Sequence, residues 1–288
     1  MKKIVVVACL ALGGCSAAEQ KSPASSPLAP PAAKATPAPA APARAASDPA
    51  ASPAPAKTPG LVGHWKLDEK SGDRAEDSSG NGNAGALAKG PAWGEGKSGG
   101  ALVFDGTEKY VDLPNSPALE NVQEGNYSVA AWFKPANLPP GTESANNANY
   151  GILVKGGWHT GLHYTSEGKF VFEHWIKGEK VEEPVWCGAG TWDTAHDPGK
   201  WYHLAATVDK AAGAIKLYVN GEEAGSGEFE AGKAAREYGE MPWRIGIGMP
   251  EAEHWSWPAK GSVDDARIYA KCLPPADIKA LYEAAPKK

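Results

Sequence analysis

After residue 60, apolar and polar positions alternate in short runs broken by glycine, asparagine and aspartate. A side-chain period of two is that of strands with one buried face. Residues 60–67 predict the first strand, and Asp77-Ser78-Ser79-Gly80-Asn81-Gly82-Asn83 predicts a turn-rich loop after it. Residues 101–104, then Asp105-Gly106, then 110–113 read as a hairpin. A strongly apolar strand follows at 127–133, with further strands at 152–154, 162–164 and 170–175 separated by glycine-containing turns. Residues 201–208 and 215–219 frame another hairpin, and Asn220-Gly221 is a strong two-residue turn signal. The last strands are 244–248 and 262–269, and 275–282 predicts one short C-terminal helix. Many short strands with almost no helix predict an all-β fold, a two-sheet antiparallel sandwich.

The amino terminus follows a different pattern. Lys2 and Lys3 precede an apolar run over 4–12 that ends in Gly13-Gly14-Cys15. The run is too short for a bilayer core of about 30 Å and fits the apolar region of a secretory signal peptide. Leu12-Gly13-Gly14-Cys15 resembles the lipobox of bacterial lipoproteins. That resemblance implies cleavage after residue 14, acylation of Cys15, and a place in the bacterial cell envelope, in the outer membrane if the host has one. Between 21 and 59 stand 11 Pro and 15 Ala, no aromatic residue, and Leu28 as the one large aliphatic. Such a segment buries too little apolar surface to offset its ordering entropy and reads as a disordered linker. Three regions result: a signal peptide at 1–14, a lipidated Cys15 with its Ala/Pro-rich linker to 59, and a folded domain at 60–288.

Charge then narrows the partners. The chain carries 29 basic against 34 acidic residues, and residues 60–288 carry 23 against 32, a net of −9. An acidic domain disfavours nucleic acid and suits neutral ligands or divalent cations.

Seven motifs, in order, carry a family resemblance. They are Gly63-His64-Trp65-Lys66-Leu67-Asp68-Glu69; the 77–83 loop; Leu102-Val103-Phe104-Asp105-Gly106; and 127–135, ending in Trp132-Phe133-Lys134-Pro135. Trp201-Tyr202-His203-Leu204-Ala205, Leu217-Tyr218-Val219-Asn220-Gly221 and 261–269 complete the series. Together they resemble the laminin-G-like jelly-roll domains of the concanavalin-A-like lectin and glucanase superfamily. The resemblance implies a jelly roll of two antiparallel sheets with a concave face, and it leaves function open, because the fold hosts lectins, glycosidases, lyases and adhesion modules. Segments 178–200 and 228–258 are longer than the family pattern, and such loops often carry function.

Glucanases of this fold place carboxylates as E-x-D-x-x-E or E-x-D-x-E along one strand, and no such run occurs. Glu182-Glu183 reads as a solvated loop pair, and Glu173-His174 as a rim or structural pair rather than an acid/base couple. His203 reads as a hydrogen-bonded core histidine. Trp65, Trp132 and Trp201 sit in strand motifs and read as core. Trp158, Trp175, Trp186, Trp192, Trp255 and Trp257 lie in or beside loops, where rings either stack on sugars or bury one another.

The reading is a membrane-anchored, extracytoplasmic carbohydrate-binding or adhesion module without catalytic activity. A glycoside hydrolase or lyase with other catalytic residues, or a structural or protein-interaction module, are the alternatives. For a polysaccharide or glycan partner, Trp186, Trp192, Trp255 and Trp257 are the expected stacking platforms, with His254 and Glu173 at the rim. Asp77, Asn81, Asn83 and Asp264 are expected to hold a structural Ca²⁺. Cys187 and Cys272, the thiols left after maturation, are expected to pair as a disulfide.

Overall fold

The computed structural model describes residues 58–140, 149–156, 160–179, 184–237, 241–248 and 256–286. Cys15, Glu182-Glu183, Trp158, His254 and Trp255 lie outside these residues. The strands begin with β1 (Leu61–Trp65), β2 (Arg74–Ala75), β3 (Gly85–Ala88), β4 (Ala92–Glu95), β5 (Gly100–Asp105) and β6 (Tyr110–Asp112). A short helix α1 (Pro117–Glu120) and a 3₁₀ turn at Val122–Glu124 lead into β7 (Tyr127–Pro135). Then come β8 (Asn149–Lys155), β9 (Thr160–Thr165), β10 (Phe170–Ile176) and β11 (Val185–Gly190). The series closes with β12 (Tyr202–Asp209), β13 (Ala214–Val219), β14 (Glu222–Glu228), β15 (Trp243–Ile245), β16 (Lys260–Tyr269) and helix α2 (Pro275–Glu283).

Two eight-stranded sheets face each other. The first runs β14-β13-β12-β7-β16-β5-β4, with β1 also on β16; the second runs β11-β10-β9-β8-β15-β6-β3-β2. All their pairings are antiparallel. The expected jelly-roll sandwich is therefore the fold. Its core lies between the sheets, where Trp65, Tyr127, Phe133, Leu204 and Val263 from the first meet Leu153, Leu162, Phe170, Phe172 and Trp243 from the second.

Sequence alternation misplaced one connection. Residues 101–104 and 110–113 do not pair with each other: β5 lies beside β16 and β4, and β6 beside β15 and β3. The Asp105-Gly106 turn carries the chain from one sheet to the other, and alternation alone does not say which sheet a strand joins. The Asn220-Gly221 turn is as expected, with φ of 53° and 82°, the double left-handed geometry that joins β13 to β14.

The outer faces of the sheets differ. Ala130, Ala205, Tyr218 and Tyr269 on the outside of the first sheet pack against Leu273 and Ile278, which brings α2 over that face. His203 belongs to this layer, not the core: it sits edge-on to Trp132 at 5.2 Å and beside Tyr282 of α2. Its Nδ1 has no hydrogen-bond partner among the described residues, and burial pushes its pKa down to about 4, so the ring packs as a neutral aromatic. Trp132 is buried in the same outer layer, Trp65 is fully buried in the core, and Trp201 is only half-buried with the Lys134 ammonium 5.3 Å above its ring.

The expected disulfide is absent, and both cysteines are free. Cys187 is on the inner face of the second sheet, donating its thiol to the His174 carbonyl at 3.2 Å, and burial pushes its pKa up to about 12. Cys272 follows β16 on the outer side of the first sheet, near Thr207. A whole sheet separates them, whereas a disulfide needs Cα atoms within about 7 Å.

Candidate functional site

On β10 and β11 the inward positions are Phe170, Phe172, Ile176, Cys187 and Ala189, all in the core. Alternation therefore sends Val171, Glu173 and Trp175 of β10, with Trp186, Gly188 and Gly190 of β11, to the outer face of the second sheet. Register sets Trp175 opposite Trp186, Glu173 opposite Gly188 and Val171 opposite Gly190. On the next strand His163 stands opposite Val171 and Gly161 opposite Glu173.

Trp186 and Trp192 are the exposed indoles among the described residues, 44% and 47% exposed, and Val185 beside Trp186 is open as well. Their ring centroids are 6.5 Å apart and their planes meet at 59°. Each ring lies over a glycine: a Cβ on Gly188 would fall 2.9 Å from the Trp186 ring, and one on Gly190 2.7 Å from the Trp192 ring. At Gly188 an added Cβ would also fall 2.6 Å from the Phe172 carbonyl oxygen, so glycine is required there, whereas at Gly190 the indole itself would have to shift. Glu173 lies in the same strip. Burial pushes its carboxyl up to about 7, against a hydrogen bond from Trp175 that works the other way. Near neutral pH such a group both donates and accepts hydrogen bonds.

Trp257 is not an open platform. It is 5% exposed and packs edge-on to the buried His163 at 5.2 Å. The sequence placed it in a loop but could not show that the loop returns onto β9. Trp175, His163 and the two glycines were not expected in the site. The alternation of β10 would have placed Trp175, but β11, read as part of a long loop, hid the rest. Glu173 and His174 do not form an acid/base pair, since neighbouring strand residues point to opposite faces. His174 points inward, 2.9 Å from the Tyr127 hydroxyl, and burial lowers its pKa to about 4.

The four residues expected to bind calcium are engaged in hydrogen bonds within the protein. Asp77 Oδ1 accepts from the His64 and Ser79 amides at 3.0 and 2.8 Å, and Oδ2 from the Ser79 hydroxyl and the Asn83 amide at 2.8 and 2.9 Å. Asn81 and Asn83 turn their amide NH₂ groups onto the Leu61 and Val62 carbonyls. Asp264 sits in another cluster, accepting from the Ser98 amide at 3.0 Å. Among the described residues no group of three or more His, Cys, Asp or Glu is gathered to ligate a metal.

Comparison with known proteins agrees with this architecture. No curated protein sequence matches the chain. Among solved structures, domain 4 of AbnA, a GH43 extracellular arabinanase from Geobacillus stearothermophilus, in complex with arabinotriose, is similar at 25% identity and a TM-score of 0.56. The match covers 77% of this chain and 98% of that one. The binding domain of Paraclostridial Mosquitocidal Protein 1 shares the fold at 14% identity and a TM-score of 0.57, over 77% of this chain and 52% of that one. Trypanosoma rangeli sialidase, in complex with 2,3-difluorosialic acid, shares it at 16% and 0.53, over 77% of this chain and 33% of that one. A family model described as the concanavalin A-like lectin/glucanases superfamily matches residues 105–279. With sheets, motifs and family match in agreement over most of the folded domain, the chain belongs to the laminin-G-like family of the concanavalin A-like lectin/glucanases superfamily.

Proposed function

We propose that the protein is a non-catalytic glycan-binding module held at the cell envelope. One observation carries this reading: an open indole pair, Trp186 and Trp192, beside a hydrogen-bonding carboxyl, on the sheet face that α2 leaves free. Indole faces stack on sugar C–H groups, and Glu173 is within the same strip to meet hydroxyls. The arabinotriose-bound arabinanase domain lends support, being similar over nearly its whole length. Titration of the whole chain with arabinotriose is the test, read by tryptophan fluorescence. A saturable change with a dissociation constant near 10⁻⁴ M is expected, in the modest range that two stacking rings supply. Reducing-end assays on the same mixtures should stay flat with time; a steady release of reducing ends would replace binding by hydrolysis.

Anchoring belongs to the same proposal. No helix among the described residues is long and apolar enough to cross a membrane. The lipobox-like Leu12 to Cys15 motif would supply the attachment, since acyl chains at Cys15 bind a bilayer firmly when more than one is present. In a bacterial host, Cys15→Ser should move the protein from the membrane fraction to the soluble fraction. Unchanged partitioning of the variant would rule the anchor out.

A further inference from the structure

Two neighbouring indoles can meet a saccharide in two ways. Coplanar rings make one flat platform, which fits the flat surface of extended, laterally packed chains. Rings set at an angle can both be covered only by a chain whose successive sugar faces turn.

Trp186 and Trp192 are of the second kind, with planes 59° apart and centroids 6.5 Å apart. That spacing leaves no gap in which a sugar could be sandwiched between the rings. The inner face of each ring is already occupied, Trp186 by the backbone at Gly188 and Trp192 by that at Gly190. Only the outer faces are available, and they point in different directions. The support beneath also fixes the angle: turning either ring toward a common plane lifts it from its glycine and exposes apolar surface. Glu173 stands on the rung opposite Gly188, the glycine over which the Trp186 ring lies.

Building on the glycan-binding reading, we infer that this face selects soluble single glycan chains whose successive rings turn, and rejects flat crystalline polysaccharide. The charge of the domain agrees with a neutral chain, since 23 basic stand against 32 acidic residues over 60–288.

The test uses the whole chain with three kinds of probe: arabinose, the soluble trisaccharides arabinotriose, maltotriose and laminaritriose, and suspended microcrystalline cellulose and chitin. At least one trisaccharide is expected to bind about tenfold more tightly than the monosaccharide, because it covers both rings. Trp186→Ala and Trp192→Ala should each erase that gain while the protein stays folded at the assay temperature, as both side chains are nearly half exposed. Neither crystalline powder should deplete the protein from solution. Depletion by crystalline cellulose or chitin, abolished by Trp186→Ala, overturns the selectivity while leaving glycan binding intact. Equal affinity for arabinose and every trisaccharide overturns it too, since one ring then suffices. If no soluble or crystalline saccharide binds, the glycan-binding reading falls and takes this inference with it.

Discussion

Asp77→Ala is expected to remove about 3–5 kcal/mol of stability, because charge-assisted hydrogen bonds contribute about 1.5–3 kcal/mol each and the freed donors are left partly buried. One carboxylate accepts four hydrogen bonds, three of them from backbone amides, and so holds the 77–83 loop against β1. The loop in turn positions Asn83, whose carbonyl accepts the Trp65 indole N–H at 2.8 Å in the core. Asp77→Asn keeps the oxygen that faces His64 and Ser79 but turns an NH₂ toward the Asn83 amide, so about half the loss is expected. Burial raises the Asp77 pKa, but the bonds from Ser79, Asn83 and His64 outweigh it and leave the value lowered. A folded pKa below the unfolded one means stability that is present above the unfolded value, about 4, and lost as pH falls through the folded value. Urea unfolding at pH 7 should therefore separate variant from wild type more widely than at pH 3. Coincident midpoints at pH 7 would refute this role.

Asp265→Ala should cost a similar amount, about 3–5 kcal/mol, the usual effect of leaving a buried charge without its partner. Arg267 donates from Nη2 to both Asp265 oxygens at 3.0 and 2.9 Å, while His64 Nε2 lies 2.6 Å from Oδ1. The Arg267 side chain is 19% exposed, so little water can replace the carboxylate. Asp265 holds φ at 52°, within a register shift between β16 and β7, a strained conformation kept by that ion pair. Thermal unfolding of Asp265→Ala, Arg267→Ala and the double variant closes a cycle. The double variant should be less destabilised than the sum of the single ones, by 1 kcal/mol or more. Simple additivity would show that the two side chains act independently.

Much of this fold was legible in the sequence because its signals are local. Alternation gave the strands at 127–133, 201–208 and 262–269, and Asn220-Gly221 gave its turn. The helix expected at 275–282 forms at Pro275–Glu283. Less legible were β3, β11 and β14, whose sequences are rich in glycine and alanine and so carry little apolar periodicity. Missing β11 hid the candidate site, since the register with β10 is what brings Trp175 and Glu173 beside Trp186 and Gly188. The side of the sheet on which a loop tryptophan settles is a tertiary property, which is why Trp186 and Trp257, similar in sequence context, end exposed and buried. The 77–83 loop was ambiguous for a related reason: Asp and Asn in a tight turn suit a cation or their own backbone equally well, and here Asp77 accepts from backbone amides while Asn81 and Asn83 donate to backbone carbonyls.

The two sheets meet without side chains at one edge. Positions 225 and 227 of β14 press on the carbonyls of Gly190 and Gly188, where an added Cβ would fall 2.4 and 2.0 Å from the oxygens. The same two β11 glycines carry the open indoles on their other side. Ring, strand backbone and opposing strand thus form a stack with no compressible layer in it. A single methyl group added to β14, on the sheet opposite the indole pair, would push β11 outward and change the pose of both rings. The pose of the exposed indole pair is in this way set from behind, and a change at either of two inconspicuous glycines would alter it while every residue of the exposed face stays the same.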